Sequence, residues 1–338
     1  MSHSSTPPAP SSQAAGPVPS AADLVSRAHV VSLPMVTRFR GITTREALLL
    51  EGPVGWSEFS PFVEYDDREA AVWLRAAIDF GWRQQPRPQR ERVPVNATVP
   101  ALPAAEVAAL LSRYPGCRSV KVKVAEPGQS LDDDVARVEA VRREAGQSRI
   151  RVDANGRWGV AEAVRAITAL SPYGLEYVEQ PCATVAELAA VRERVRGLAP
   201  IAADESIRKT SDPYAVAREG AADVIIVKAQ PQGGVHQALA TIAQVGLPAV
   251  VSSAIDTSVG LAMGAWLAAA LPRLEHDCGL GTAALLGADV THLPLVPEDG
   301  SIPVRRVTPD AALLEEHQAS PERRDWWLDR LRRCAALL

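Results

Sequence analysis

The sequence predicts an α/β fold, an eight-stranded parallel barrel that follows a smaller α+β region. Two observations predict the barrel. From about residue 93, eight short runs rich in β-branched residues alternate with Ala-rich, charge-dotted segments, which is the rhythm of parallel strands joined by helices. No GxGxxG or P-loop turn follows the first run, although a doubly wound open sheet, the main alternative, would usually show one.

The eight predicted strands are short and evenly distributed. They are the runs at residues 93–99, 119–124, 149–155, 175–181, 201–206, 222–229, 248–256 and 274–281. Between them lie helical patterns such as residues 131–146, which have Asp residues in the first turn and Gly at the end. The longest apolar run, at 259–271, is shorter than the roughly 20 residues needed to cross a bilayer, so it predicts a buried helix.

The rest of the chain divides into three parts around this barrel. The first residues are rich in Ser, Pro and Ala and predict a disordered extension. Next come Gly-Pro turns between short strands and an amphipathic helix at 67–81, which predict the α+β region. The tail predicts a helix with Trp327, Leu331, Cys334 and Leu338 on its packing face. The predicted parts are an extension at 1–28, the α+β region at 29–92, the barrel at 93–298 and a C-terminal segment at 299–338 that packs back on the other two.

Composition excludes several classes of protein. The 36 Lys and Arg residues and the 40 Asp and Glu residues give a net charge of −4, a poor match to nucleic acid or to an anionic membrane. The four cysteines are far apart and form no CxxC pair, so we expect free thiols in a reducing compartment, without disulfides or zinc. The start lacks the basic and apolar segments of a signal peptide. We therefore expect a cytoplasmic protein that acts on a small molecule; the oligomeric state stays open, and a monomer is compatible with the sequence.

Charged residues end the predicted strands, where the active sites of such barrels lie. The third run ends in Asp153 and Asn155, the fourth in Glu179, the fifth in Asp204 and Glu205, and the sixth in Lys228. Asp153, Glu179, Asp204 and Lys228 form a series along the chain. Successive members of this series are 26, 25 and 24 residues apart, close to one strand–helix unit, so they should stand at one height on neighbouring strands. A single such residue more often caps a helix or forms an ion pair, but the even spacing of the series favours a common site.

Three carboxylates at one level repel one another unless a cation lies between them, and oxygen ligands without His or Cys suit Mg²⁺ better than zinc. The second run, SVKVKV, places Lys121 and Lys123 on one face of a strand, which must be the barrel interior. A metal-bound substrate would then have a lysine on either side, with Lys228 across the barrel. This arrangement fits abstraction of a proton α to a carboxylate, with the metal stabilising the enediolate and a lysine of lowered pKa as the base. Spacing alone does not tell which of Lys121 and Lys123 moves the proton.

The order Lys-x-Lys, Asp, Glu, Asp, Lys on successive strands resembles the enolase superfamily, in its muconate-lactonizing subgroup. The resemblance covers nearly the whole chain beyond about residue 29, and it implies a TIM-like (β/α)7β barrel with an α+β capping domain. Three segments are more specific than the shared metal-ligand pattern, namely LPMVTRFRGITTREALLLEGPVGWSEFSPF, SSAIDTSVGLA and DCGLGTAALL. They resemble the subgroup's hydro-lyases of menaquinone biosynthesis, which dehydrate a cyclohexadiene carboxylate to an aromatic product.

The resemblance implies roles for individual residues. The three carboxylates match the ligands of Mg²⁺, for which Mn²⁺ would substitute. Lys123 matches the general base that takes the α-proton and then protonates the leaving hydroxyl, while Lys121 neutralises the substrate carboxylate and depresses the pKa of Lys123. Lys228 matches a lysine on the opposite face of the enediolate. Substrate-binding positions are implied at the seventh and eighth runs and in the capping loop: Ser252, Ser253, Gly279, Gly281, Arg38 and Phe39. One departure from the family pattern is Ser57 in GWSEF, where glycine is expected.

Two alternatives stay open. The first is a racemase or epimerase of the same superfamily, acting on N-succinylamino acids or dipeptides, in which Lys123 and Lys228 would be acid/bases on opposite faces. Dipeptide epimerases usually carry Asp-x-Asp at the eighth strand, where this chain has Asp277 alone. A mandelate-racemase-like site would need a His at the seventh strand, where neither His236 nor His276 lies. The second alternative is a non-catalytic ligand-binding barrel, which the intact set of lysines and carboxylates disfavours.

Overall fold

A computed structural model describes residues 18–208 and 212–338. Most of the predicted disordered extension, residues 1–17, lies outside the described residues. The prediction of disorder up to residue 28 was wrong for its last part, because a short helix, α1 (Ala21–Ser26), forms there. The Ser20 hydroxyl accepts a hydrogen bond from the Asp23 amide while the Asp23 carboxylate accepts one from the Ser20 amide, a capping box that satisfies the helix start. Leu24 of α1 is fully buried.

The α+β region has the predicted antiparallel hairpins followed by a helix. Its sheet has the order β1-β2-β3 and consists of β1 (Ala28–Phe39), β2 (Ile42–Glu51) and β3 (Trp56–Phe59). Arg40 and Gly41, both with positive φ, form the turn between β1 and β2. Helix α2 (Asp67–Trp82) is capped by the Asp66 carboxylate, which accepts a hydrogen bond from the Glu69 amide, and it buries its apolar face against the sheet.

The barrel is a parallel sheet in which each strand pairs with its neighbours in chain order. Its strands are β5 (Ala97–Val99), β6 (Ser119–Lys123), β7 (Arg149–Asp153), β8 (Leu175–Glu179), β9 (Ile201–Ala203), β10 (Val224–Lys228) and β11 (Ala249–Ser252). The predicted eighth strand is not a regular strand. Instead, Cys278 bridges in parallel to Val95 and Gly279 bridges in parallel to Ser252, so this segment closes the ring between the first and last strands. Beside the barrel, β4 (Arg92–Pro94) pairs antiparallel with β12 (Ser301–Pro303).

Helices connect the strands in the manner that the sequence predicts. They are α3 (Val107–Leu111), α4 (Leu131–Ala145), α5 (Val160–Leu170), α6 (Val185–Arg194), α7 (Glu205–Arg208), α8 (Ala215–Arg218), α9 (Val235–Val245) and α10 (Ser258–Ala270). Helix α4 has acidic residues in its first turn and Gly146 as its C-cap, as expected, and a Ser130–Asp133 capping box satisfies its start. Helix α10 is almost entirely buried, because the capping sheet covers the side that faces away from the barrel. Within the described ranges, no helix has the length and apolar character needed to cross a membrane. The cytoplasmic location stays a prediction.

The C-terminal segment packs on the capping domain through α12 (Pro321–Ala335), after the short α11 (Ala311–Glu316). Trp327, Leu331 and Cys334 are fully buried, as predicted. Leu338 is 38% exposed, so its predicted place on the packing face was wrong: the helix ends at Ala335, and the last residues leave its stripe. The cysteines are free thiols, as expected: Cys117, Cys182, Cys278 and Cys334.

Candidate active site

The carboxyl ends of five neighbouring barrel strands bring the predicted lysines and carboxylates together. In the sheet register, Lys123 on β6 is paired with Asp153 on β7, which in turn is paired with Glu179 on β8. Asp204 directly follows β9, and Lys228 is the last residue of β10. Because parallel strands end at one edge of the barrel, the spacing in the sequence becomes a ring of charged side chains at one level.

The lysine ammonium groups of this ring neutralise its three carboxylates. Lys123 Nζ donates to Asp153 Oδ2 at 2.5 Å, and Lys228 Nζ donates to Asp204 Oδ2 at the same distance. Lys121 Nζ lies 3.2 Å from Glu179 Oε1 and 3.4 Å from Asp153 Oδ2. The whole chain has four lysines, so three of the four lie in this cluster while arginine supplies nearly all other positive charge. Lysine is therefore concentrated where an amine of adjustable pKa is useful.

Burial and neighbouring charges shift the pKa values of the two lysines of β6 in opposite directions. Burial opposes the charged form of Lys121, but the Glu179 and Asp153 carboxylates outweigh it and hold the pKa of Lys121 above its ordinary value. Burial lowers the pKa of Lys123; the Asp153 carboxylate opposes this shift, and the positive charge of Lys121 adds to it, so the pKa of Lys123 is below its ordinary value. Lys121 is thus a fixed positive charge, and Lys123 gives up its proton more readily.

The three carboxylates influence one another, which indicates that they face a common space. Burial and the charge of Asp153 raise the pKa of Glu179 to about 8. Burial also opposes the ionised form of Asp204, but the charges of Lys228 and Arg208 outweigh it and lower the pKa of Asp204 to about 2. Three hard carboxylate oxygen donors without sulfur or imidazole fit a divalent cation such as Mg²⁺. In the described ranges, however, no three or more His, Cys, Asp or Glu side chains already form a ligand group, and each carboxylate is instead paired with a lysine.

Residues that the sequence did not single out hold the ring in place. The Gln180 side-chain oxygen accepts a hydrogen bond from the Asp204 amide at 2.9 Å, and its nitrogen donates to Ser206 Oγ at 2.8 Å. Arg208 donates from Nε to Asp204 Oδ1 at 3.2 Å. Asn155, noted in the sequence only as a strand end, accepts from Lys123 Nζ at 2.7 Å. Asn155 and Gln180 have φ of +50° and +38°, a conformation that non-glycine residues often adopt at functional sites.

A cavity lies above the ring, between the capping domain and the barrel. The capping domain lines it with Phe39, Arg40, Phe62, Tyr65 and Trp73. The barrel lines it with Thr98, Ser252, Ser253, Ala254, Ile255, Gly279 and Thr282. The Lys123 ammonium lies 5.6 Å from the centroid of the Phe39 ring, so the capping loop reaches the lysine. Arg38 lines a second cavity at the mouth, which shares Lys123 with the first.

The implied substrate-binding positions are only partly brought together. Ser252, Ser253 and Gly279 line the cavity, and Ser253 Oγ donates to the Gly279 carbonyl at 2.8 Å. Gly281 lies outside the cavity wall and packs under the Asn96 carbonyl, where a Cβ would come within 2.7 Å of the oxygen. The Ser57 hydroxyl is buried against Gly81 of α2 without a hydrogen-bond partner, so this departure from the family pattern concerns cap packing.

Apart from Lys123 and Lys228, the residues that bear on the alternative activities lie outside the cavity wall. Asp277 accepts hydrogen bonds from Ser119 at 2.8 Å and from Arg149 at 2.9 Å, at the amino ends of β6 and β7 and therefore at the opposite end of the barrel. His276 contacts Glu176 at 2.8 Å, and His236 contacts an α2 carboxylate at 3.0 Å. Both histidines therefore have structural partners.

The fold and the site define the class of protein. Residues 30–81 match the family model described as "Enolase N-terminal domain-like", and residues 104–310 match "Enolase C-terminal domain-like". Muconate lactonizing enzyme from Pseudomonas fluorescens superimposes with a TM-score of 0.73 at 21% identity, over 87% of this chain and 98% of that one. N-succinyl Arg/Lys racemase from Bacillus cereus gives 0.72 at 19% identity, over 87% and 97%. These structures share the fold of the enolase superfamily, whose enzymes use a divalent metal ion.

Relatives of higher identity narrow the class. The o-succinylbenzoate synthase of Mycobacterium marinum is 56% identical over 94% of this chain and 95% of its own length. That of Mycobacterium tuberculosis is 56% identical over 93% of this chain and 95% of its own length. The chain belongs to the o-succinylbenzoate synthase family of the enolase superfamily. The predicted fold class and the predicted family are thereby confirmed.

Proposed function

We propose that this chain is a metal-dependent hydro-lyase that dehydrates the cyclohexadiene carboxylate SHCHC to o-succinylbenzoate, a step of menaquinone biosynthesis. The observation that carries the proposal is the 56% identity to curated o-succinylbenzoate synthases, which extends over both the capping domain and the barrel. The cluster of lysines and carboxylates at the barrel mouth supplies the chemistry that such a reaction needs.

Asp153, Glu179 and Asp204 would hold the divalent ion, and their all-oxygen chemistry favours Mg²⁺, with Mn²⁺ as a substitute. When bound, the ion supplies positive charge that stabilises the negative charge gained by the substrate carboxylate. Lys123 and Lys228 lie beside these carboxylates and border the cavity, where they face the substrate.

Lys123 acts as base and then as acid on one face of the substrate ring. Its neutral amine takes the proton from the carbon α to the carboxylate, and the electron pair of that C–H bond enters the ring system. The C–O bond to the hydroxyl on the same face then breaks, and the ammonium of Lys123 returns the proton to the departing oxygen. Water is released, and the ring becomes aromatic. This syn elimination uses one lysine twice, in keeping with the lowered pKa of Lys123.

The remaining charged and polar groups bind and orient. Lys121, a fixed cation, neutralises the substrate carboxylate from the same side of the barrel as Lys123. Lys228, four strands further round the sheet, faces the opposite side of the ring and stabilises the added negative charge. Ser252, Ser253 and Gly279 border the part of the cavity that would receive the succinyl chain, and Phe39 covers the reacting centre.

A second candidate is racemisation of N-succinylamino acids. One observation favours it: Lys123 and Lys228 belong to strands on different sides of the cavity, so both could exchange a proton with the same carbon. Dipeptide epimerisation is less well supported, because Asp277 is bonded to Ser119 and Arg149 away from the cavity. A non-catalytic barrel would leave the buried ring of ion pairs without a role.

Incubation with SHCHC and, separately, with an N-succinylamino acid in D₂O tests the proposal. We expect rapid aromatisation of SHCHC, followed by ultraviolet absorbance and by NMR of the product. Deuterium exchange and racemisation of the amino acid without aromatisation of SHCHC would establish the second candidate in its place. Both reactions together would identify a bifunctional enzyme.

A further inference from the structure

A buried network of ionic groups lies behind the cavity wall, separate from the lysine ring. Arg45 on β2 is 2% exposed, and Glu58 on β3 is fully buried. Both belong to the capping sheet, yet each also binds the barrel, at the loop from β11 to α10. Arg45 Nε donates to the Ile255 carbonyl at 2.9 Å, a contact between residues 210 positions apart in the chain. The capping sheet is thus bonded to the loop that lines the cavity.

Glu58 binds the same loop one turn further on. Its Oε2 accepts hydrogen bonds from the Thr257 amide at 3.1 Å, from the Thr257 hydroxyl at 2.5 Å and from the Gly260 amide at 3.1 Å. Thr257 is the N-cap of α10, so a carboxylate of the capping sheet fixes the start of a barrel helix. A Cβ at Gly260 would come within 2.7 Å of the Glu58 carboxylate, so this close approach requires glycine.

The loop between these two anchors is strained. Ile255 has φ of +62°, and a β-branched residue in this region is a true outlier that persists only where the surroundings impose it. Its carbonyl is the one that Arg45 holds. Residues 252–255 form one wall of the cavity, so the strain lies where the substrate's side chain would rest.

Arg45 also touches the opposite wall. Its guanidinium lies 4.8 Å from the centroid of the Phe62 ring, and Phe62 lines the cavity from the cap side. Arg45 NH2 donates to Ser60 Oγ at 2.9 Å, and Ser60 Oγ donates to Glu58 Oε1 at 2.5 Å, so the two anchors are linked to each other. One guanidinium therefore contacts both walls of the cavity.

We propose that Arg45 and Glu58 are positioning residues for the reaction: they hold residues 252–257 in the strained conformation that forms the substrate's side-chain wall. The assembled contact between cap and barrel, and not the barrel alone, then shapes the pocket. The inference rests on the proposed function for the identity of the substrate only. The two residues contact no reacting atom, so their replacement should weaken substrate binding more than turnover.

The test compares Arg45→Lys with the control Arg142→Lys. A lysine at position 45 keeps the charge but has a single nitrogen in place of the planar fork, whose Nε and Nη2 reach the Ile255 carbonyl and Ser60 separately. Arg142 also donates to backbone carbonyls, those of Tyr173, Gly146 and Ser148, but does not line the cavity. In Arg45→Lys we expect a rise in KM for SHCHC of about tenfold or more with kcat changed less than about threefold, and in Arg142→Lys neither change.

Amide hydrogen exchange measures how firmly the loop is held, independently of turnover. Amides of residues 253–257 should exchange faster in Arg45→Lys than in the wild type, while peptides of α4 should not change. Glu58→Ala removes the acceptor of the Thr257 and Gly260 donors and should raise loop exchange and KM in the same direction as Arg45→Lys. Should Arg45→Lys not fold, Thr257→Val, which removes one hydroxyl donated to Glu58, should raise KM and loop exchange in the same direction.

Unchanged exchange of residues 253–257 in the folded variant, or a KM no higher than that of Arg142→Lys, would overturn the inference. If the wild type does not convert SHCHC, the proposed function fails, and the exchange rates alone then decide whether Arg45 and Glu58 position the loop.

Discussion

Lys123 and Asp153 are partners both in the backbone and through their side chains. Their Cα atoms are paired in the register of β6 and β7, and the Lys123 ammonium lies 2.5 Å from Asp153 Oδ2. The proposed proton carrier and a proposed metal ligand are therefore one hydrogen bond apart. The two charges neutralise each other, so the proton on Lys123 and the charge on Asp153 are coupled.

The first prediction concerns Lys123→Ala. The variant should fold, because its neighbours Lys121 and Asn155 can still balance Asp153, but it should lose dehydration activity by roughly 10²–10⁴-fold or more. Steady-state kinetics with SHCHC, together with circular dichroism for folding, measure both expectations. Turnover near the wild-type value would refute the assignment of Lys123 as base.

The second prediction concerns the metal. Treatment with EDTA should abolish dehydration, and addition of Mg²⁺ or Mn²⁺ should restore it, because the carboxylate ring offers only oxygen ligands. Isothermal titration of the metal-free protein should show one site that Asp204→Asn weakens, since Asp204 is one of the proposed ligands. Full activity in the presence of chelator would remove the metal from the mechanism.

The third prediction concerns Asp277, which the structure places at the far end of the barrel. Asp277→Ala leaves the buried Ser119 hydroxyl without its acceptor and should lower the free energy of unfolding by about 1–3 kcal/mol in urea denaturation. The KM for SHCHC should not change. Asp325→Ala, which removes an exposed carboxylate of α12, should cost less than about 0.5 kcal/mol and is the control. A selective rise in KM would show that Asp277 reaches the substrate.

The fourth prediction concerns the pH dependence of stability. Burial and the charge of Asp256 raise the pKa of Glu58 from 4.5 to about 7. The folded chain thus binds this proton more tightly than the unfolded chain, so stability is highest below the unfolded pKa and falls by about 1.4 kcal/mol per pH unit as pH rises towards 7.

Glu58→Gln cannot lose that proton, so its stability relative to the wild type should be greater at pH 8 than at pH 5. Urea denaturation at the two pH values measures the difference. Glu64→Gln, which removes an exposed carboxylate of the same domain, controls for the change in net charge. An equal pH dependence in the wild type and in Glu58→Gln would contradict the raised pKa.

The features that the sequence predicted well are periodic. The alternation of β-branched runs with helical segments predicts the barrel, and the regular spacing from Asp153 to Lys228 places these residues on neighbouring strand ends, because each strand–helix unit has nearly the same length. The burial of α10 follows from its unbroken apolar composition. Such features repeat along the chain, so they can be recognised in the amino-acid sequence alone.

The features that the sequence did not predict depend on contacts between distant residues. Gln180 supports Asp204 only once β8 and β9 are adjacent, and Arg45 meets Ile255 only once the cap has docked on the barrel. Gly281 was expected beside the substrate, but the chain turns away after Gly279 into a 3₁₀ helix. No local pattern encodes these contacts, because the partners lie in different elements.

Formation of o-succinylbenzoate by this chain can be measured directly. The purified, Mg²⁺-loaded protein is mixed with SHCHC, the initial rate of product formation is measured by ultraviolet absorbance, and the product is identified by mass spectrometry. We expect stoichiometric conversion to o-succinylbenzoate and water at a rate far above that of the uncatalysed reaction. SHCHC that persists at the uncatalysed rate, in protein shown to be folded and metal-loaded, would contradict the proposed function.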